Sequence, residues 1–537
     1  MRSLILAALL AAPVFAQDCA TSRDLRLTNG KIHTMDKKDT ILTEAIIQDG
    51  KFAPAGSKLG PCTKTINLGG RTVVPGLIDN HNHIVLLGMR PGHDVRIETA
   101  ASIADVQAIL RARAKTVPAG AFITTLGDFN IKQFAEKRLP TIEELDAALP
   151  ANPYIMNGGG TVTNTLGKKF FESKGIMVAA NGTISGQGAG QGFTAALHAL
   201  RDIQTFADMK QGTIDAMQYL ISYGLTTNVD MGAFTIPGTP DMQSAAVADG
   251  VESLNPWTMF DAFNALHREG KMTTRLRIFY LSQDTAADVP LLRERMNNGF
   301  PGFGDDMMRN TGIGEFAAAW NTRNGAPPNY ETALQLVAKH GWAFQQHTLS
   351  LNEDKITTDT FEKVNAVTPI ADLRWSIGHV PKIDRPTLDR LKAIGAGVAV
   401  HGWLYLSGTP ANGGPPYRTI LDSGIHAGAG SDAAAVSVFD PWLQIYYMTT
   451  GKNAAGEMVN AGQQITRQEA LRLYTADNGW FLHEEDKLGT IEPGKLGDLV
   501  VLSGDYFDSK KVPDEDVKKI KSVLTAVDGK VVYDAMR

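Results

Sequence analysis

The chain has 537 residues, 43% hydrophobic and 20% charged, a balance that permits a large folded core and excludes a disordered or coiled-coil chain. A formal charge of −5 with no long basic run argues against nucleic acid as a partner, because phosphate binding needs clustered Lys and Arg.

Met1-Arg2-Ser3, the apolar run Leu4 to Ala12, and Pro13-Val14-Phe15-Ala16 have the order of a secretory signal. The run is too short to span a bilayer as a stable helix, and Ala16 is a small residue at the expected cleavage point. Residues 1–16 are therefore assigned to a signal peptide, and the mature chain is expected to be secreted or periplasmic with no stable membrane anchor. Cys19 and Cys62 are the only two cysteines. In an oxidising compartment they suggest one disulfide, with two buried free thiols as the open alternative. Asp18 stands where a lipoprotein signal needs a small residue, so no lipid is expected on Cys19.

From Leu25 to Gly70 short β-branched runs alternate with Asn29-Gly30 and Asp49-Gly50, the signature of hairpins. The last fifty residues repeat the style in Leu499-Val500-Val501-Leu502 and Val531-Val532-Tyr533. Residues 17–74 plus 483–537 are therefore expected to form one small β-sandwich built from both chain ends, flanking residues 75–482. In that middle stretch apolar strands alternate with helical segments, which is the pattern of an α/β fold with a (β/α)8 TIM-like barrel. The candidate strands are Ile78 to Ile84, Phe122 to Leu126 or Tyr154 to Met156, Thr226 to Asp230, and Leu276 to Leu281 or Gly312 to Phe316. They continue with Trp342 to His347, Arg374 to His379, Val398 to Trp403 and His426 to Asp432. Thr466 and Glu469 frame a capping box. The Gly-rich stretch 157–201 is expected to cover a site. A nucleotide-binding glycine loop is the weaker reading of it, since no clear strand precedes its second glycine run.

Val73-Val74-Pro75-Gly76-Leu77-Ile78-Asp79-Asn80-His81-Asn82-His83 is a strand ending in two imidazoles one residue apart. Alternate residues of a strand point the same way, so His81 and His83 can hold one cation. His347 and His379 end two further apolar runs, and Asp432 ends Gly430-Ser431-Asp432. Ligands from several strand ends can converge on one barrel face. A metal lowers the pKa of water bound to it toward 7, and an adjacent carboxylate can take that proton and pass it on. Asp432 is accordingly the expected ligand and general acid–base group.

These segments resemble the amidohydrolase superfamily, in its family-three branch, the group around N-substituted formamide deformylase. The resemblance implies a metal-dependent hydrolase in which His347 and His379 match the fifth- and sixth-strand histidines and Asp432 the eighth-strand aspartate. Many members bridge two metals with a carboxylated lysine on the fourth strand. The equivalent stretch here, Thr311-Gly312-Ile313-Gly314-Glu315-Phe316, lacks Lys. Glu315 can supply that carboxylate directly, or it can face solvent or pair with a cation, so one or two ions are expected. Asn164 matches a family position in the substrate region, and His401 and Trp403 replace the usual seventh-strand pattern. All three are expected substrate contacts, with barrel-mouth packing as the alternative for His401 and Trp403. Ring deaminases of the superfamily carry an acid three residues after the fifth-strand histidine, where this chain has Ser350.

The expected function is hydrolysis of an amide or other non-peptide C–N bond in a small molecule, with a divalent metal, zinc by preference, as cofactor. Ester, lactone or carbamate hydrolysis on the same centre and a non-catalytic metal-dependent binding protein are the alternatives. A homo-oligomer is left open.

Overall fold

The computed structural model describes residues 19–186, 191–235, 253–254, 258–320, 325–434 and 436–536. The signal-like segment and part of the second glycine run lie outside these residues.

Eight parallel strands form the barrel: β1 (Leu77–Asn82), β2 (Leu225–Asp230), β3 (Arg275–Tyr280), β4 (Met308–Glu315), β5 (Ala343–His347), β6 (Ser376–His379), β7 (Gly397–His401) and β8 (His426–Gly430). Each pairs with the next in chain order. Helices such as Leu351–Asn365 and Arg385–Ala393 connect them, so the strands are buried on both faces and read as apolar runs.

The seam between β8 and β1 is closed differently. Asn478 Nδ2 donates to Ile78 O at 2.6 Å and to Ala429 O at 2.8 Å. Just past the end of β8, Asp432 N donates to His81 O in β1 at 2.8 Å. The sequence His426-Ala427-Gly428-Ala429-Gly430 suits this close approach, because a Cβ on Gly430 would stand 2.6 Å from His81 N.

Two strand assignments need correction. Phe122 to Leu126 and Tyr154 to Met156 are not barrel strands. Ile123–Leu126 and Tyr154–Asn157 pair with one another in a separate four-stranded sheet with His93–Asp94 and Thr161–Thr163. That sheet, inserted between β1 and β2, has its own core of Val106, Leu110, Ile123, Leu145 and Met156. An apolar run reports burial and not which sheet buries it. Leu276 to Leu281 and Gly312 to Phe316, taken as alternatives, instead supply two barrel strands, β3 and β4. The first glycine run is the turn of a hairpin, with Gly158 N bonded to Gly160 O at 3.0 Å, and not a phosphate loop.

Both chain ends build two further sheets. Lys51–Ala53, Ala45–Gln48, Leu25–Thr28 and Lys64–Asn67 form one. Lys530–Asp534, Ser522–Val527, Leu499–Leu502, Thr72–Pro75, Lys31–His33 and Ile41–Leu42 form the other. Leu25, Leu27, Ile32, Val73, Leu499, Val501 and Leu524 share one core between them. Cys19 and Cys62 form a disulfide with Cα atoms 5.2 Å apart, resolving the open pairing. The Thr466 and Glu469 capping box is present. Among the described residues no helix is long and apolar enough to cross a membrane.

Candidate metal centre

Parallel strands deliver the residues at their C-terminal ends to one mouth. His81 lies in β1 with His83 just after it, Glu315 ends β4, His347 ends β5, His379 ends β6, and Asp432 stands two residues past β8. The period of two aims His81 and His83 at the same volume. His379 and Asp432 adopt left-handed backbone, with φ of 69° and 56°. For residues other than glycine this costs about 1–3 kcal/mol and is concentrated at functional sites.

The Glu315 carboxylate sits between the two histidine pairs. Its Oε2 is 2.7 Å from His347 Nδ1, 3.3 Å from His379 Nε2 and 3.6 Å from His81 Nε2, while Oε1 is 3.7 Å from His83 Nε2. Asp432 closes the ring: Oδ1 is 3.5 Å from Nε2 of both His81 and His83, and Oδ2 is 3.4 Å from His379 Nδ1. The ligating atoms of His81, Glu315, His379 and Asp432 all lie within 4.8 Å of one another.

Two observations test whether these residues fit a cation. His81 Nε2 is buried and has no hydrogen-bond partner. An unsatisfied buried polar atom costs about 1–3 kcal/mol, which a bound cation removes. The outer nitrogens are fixed by carbonyl-type acceptors: His83 Nδ1 donates to Gly232 O at 2.7 Å, and His81 Nδ1 meets Gln345 Oε1. Each Nδ1 therefore carries a hydrogen, and each Nε2 is the inward nitrogen, on which a cation can take the place of a proton. Neutral imidazoles mixed with carboxylates suit a divalent first-row ion. His81, His83, Glu315, His347, His379 and Asp432 could hold it.

The cluster's charges are mutually compensated. Burial would raise the Glu315 carboxyl, but His347, His379 and His81 hold it well below the usual carboxylate range. Asp432 is held low against burial by His379, His81 and His83. Burial pulls His83 down, yet Asp432 and Glu315 carry it up to about 10. Burial dominates at His379, lowered to about 4, and at His401, lowered well below its ordinary value.

The three expected substrate contacts fall in three different settings. His401 is fully buried inside the cluster, its Nδ1 2.8 Å from His379 Nδ1 and its ring 4.2 Å from that of His81. With His81 and His379 it forms a second group of buried imidazoles that could hold a cation. Asn164 is also fully buried and caps the helix Thr165–Ser173. Its Oδ1 accepts from Tyr154 N and Gly167 N, and its Nδ2 donates to Leu149 O and Asn152 O, which commits the amide to the inserted sheet. Trp403 is half-buried past β7, packed on the barrel core.

Sequence reasoning missed the residues behind the ligands. Asp79 accepts from His81 N at 3.1 Å and Ser431 N at 2.9 Å, and from Ser431 Oγ at 2.5 Å, tying β1 to the turn that carries Asp432. The signal was present in the alternation: Asp79 shares a strand face with His81, and Gln345 with His347.

The family model described as amidohydrolase family matches residues 64–533. N-substituted formamide deformylase of Arthrobacter pascens is 21% identical, over 95% of this chain and 98% of that protein. An uncharacterized metal-dependent hydrolase from Pyrococcus horikoshii OT3 has a similar structure, with a TM-score of 0.60 at 16% identity over 90% of this chain and 98% of that one. Atrazine chlorohydrolase from Arthrobacter aurescens TC1, complexed with zinc, gives a TM-score of 0.53 at 14% identity over 96% of both chains. With the family model spanning sandwich and barrel alike, this chain belongs to the amidohydrolase family and is a metal-dependent hydrolase acting on carbon–nitrogen bonds.

Proposed function

We propose that the mature chain is an exported enzyme that hydrolyses the amide of a small molecule, with zinc as the preferred ion and two ions per chain. The observation that carries this reading is the Glu315 carboxylate, which lies within 3.7 Å of nitrogens from both histidine pairs. A carboxylate so placed can neutralise two adjacent cations. The donor chemistry, and the zinc in the structurally similar atrazine chlorohydrolase, favour zinc. Export is supported by the N-terminal run and by the Cys19–Cys62 disulfide, a bond that persists in oxidising compartments.

When bound, a divalent ion supplies a Lewis acid for the substrate carbonyl and lowers the pKa of water toward 7. His81 and His83 would hold one ion and His347 and His379 a second, with the Glu315 carboxylate between the two pairs. Asp432, kept anionic by its three histidine neighbours, accepts the proton of the attacking water and returns it to the departing nitrogen. Amides of the kind named for the deformylase relative, N-substituted formamides, are the first substrates to try.

Ring deamination is disfavoured by the residues after His347. Ser350 caps the helix Leu351–Asn365, and Glu353 accepts from Leu349 N at 2.8 Å and Trp320 Nε1 at 3.0 Å. Glu353, the acid three residues after Ser350, is thereby committed to the helix start and the indole and does not take the place of the missing acid. The test is metal content per chain together with hydrolysis of a panel of N-substituted formamides, longer acyl amides and esters by the zinc-loaded protein. Two ions and amide turnover are expected. Turnover confined to esters overturns the amide reading, and metal binding without any turnover leaves a binding protein.

A further inference from the structure

Strand β2 ends in Asp230, a fully buried carboxylate that the proposed chemistry leaves unused. Its Oδ2 accepts from Val85 N and its Oδ1 from Gly232 N, each at 2.7 Å. Both donors belong to segments that hold His83. Val85 is the second residue of the helix Ile84–Met89, whose N-cap is His83 itself and which has no side-chain cap of its own. Asp230 therefore supplies from the neighbouring strand the acceptor that a capping side chain normally gives. On the other side, the Gly232 carbonyl receives His83 Nδ1 at 2.7 Å. Gly232 has φ of 74°, left-handed backbone that glycine adopts freely.

The carboxylate thus grips the backbone just after His83 and the peptide that orients its ring. Rotating the imidazole requires breaking a bond to Gly232 whose own N–H is anchored on Asp230. With Nδ1 held as donor, Nε2 faces Asp432 Oδ1 at 3.5 Å and Glu315 Oε1 at 3.7 Å. We infer that Asp230 is a positioning residue for the metal centre, setting the ring orientation and tautomer of His83 through Val85 N and Gly232. The inference rests on the reading of His83 as a ligand.

The test uses the full mature chain loaded with cobalt(II). Asp230→Asn keeps the size but puts an amide NH2 against one of the two backbone donors. Loss of such an orienting partner typically weakens metal binding about 10–100-fold. That loss is expected in chelator competition, with a shifted cobalt absorption band and an unchanged far-ultraviolet circular dichroism spectrum. Asp230→Ser, which keeps one small acceptor, should show the same signs if Asp230→Asn does not accumulate as folded protein. Unchanged affinity and absorption band in a folded variant overturn the inference. Failure of both variants to fold also overturns it, since the residue would then serve the fold and not the site. His83→Ala, run in parallel, separates the two readings: if it leaves metal content and band unchanged, the ligand assignment has failed rather than the role of Asp230.

Discussion

The two ends of the barrel bury charge in opposite ways. At the N-terminal end Arg275 meets Asp498 in a bidentate pair, 2.7 Å and 2.8 Å, and Arg277 meets Glu484 at 2.7 Å. Every charge there has a fixed counter-charge, and the pairs fasten segments from the C-terminal region to β3. At the C-terminal mouth, imidazoles and carboxylates crowd together with His81 Nε2 left without a hydrogen bond. The first arrangement is complete by itself; the second is complete only with a cation. A buried pair that satisfies all its donors serves cohesion, whereas a buried cluster of lone pairs serves binding.

The contrast can be broken at either end. The largest expected effect is at the mouth: Asp432→Asn should keep metal and fold but lower turnover by about 10²-fold or more, the usual worth of a positioned acid–base group. Steady-state kinetics with metal analysis would show this, and near-normal turnover would remove Asp432 from its role. At the other end, Arg275→Leu leaves Asp498 buried without its partner and should cost about 3–5 kcal/mol of stability. Denaturant unfolding would measure the loss, with activity per folded molecule unchanged. Replacing both partners by leucine should recover most of it, and if it does not, the pair is not a self-contained fastening.

Smaller effects sharpen the comparison. Glu315→Gln should drop metal content from two ions to one without unfolding the barrel, because an amide cannot neutralise two cations; elemental analysis of the purified variant decides it. The smallest effect concerns pH in the metal-stripped protein. Burial opposes the charged form of His83, but Asp432 and Glu315 raise it from the ordinary imidazole value of about 6.5 to about 10. A raised folded value means stability fully present below about 6.5 and lost as pH climbs toward 10. The melting temperature of stripped protein should therefore fall between pH 7 and 10, while that of loaded protein, in which metal replaces the proton, should not. Parallel curves for the two forms would show that His83 does not face the cation.

Parts of this centre were visible in the sequence for a physical reason. Strand periodicity is two, so His81-x-His83 declares a shared direction without knowledge of the rest of the chain. His347 and His379 were visible because each ends an apolar run, and strand ends are where a barrel gathers its chemistry. The assignments that changed have a common cause. The apolar runs at Phe122 and Tyr154 look like barrel strands because local composition reports burial alone, and only long-range pairing put them in a different sheet. Asn164 was expected at the substrate from the family resemblance, and a residue match does not reveal that four backbone groups claim the amide.

Residue identity and spacing by themselves determined the chemistry available to this protein: imidazoles and carboxylates at strand ends, a barrel between two β-rich termini, and cysteines close enough in context to pair. Tertiary structure alone decided how that chemistry is assembled. It put Glu315 between the two histidine pairs, sank His401 into the cluster, and brought Asp230 behind His83 from 147 residues away in the chain. Those relations depend on strand register and on backbone donors contributed by distant segments, and no local pattern of residues encodes them.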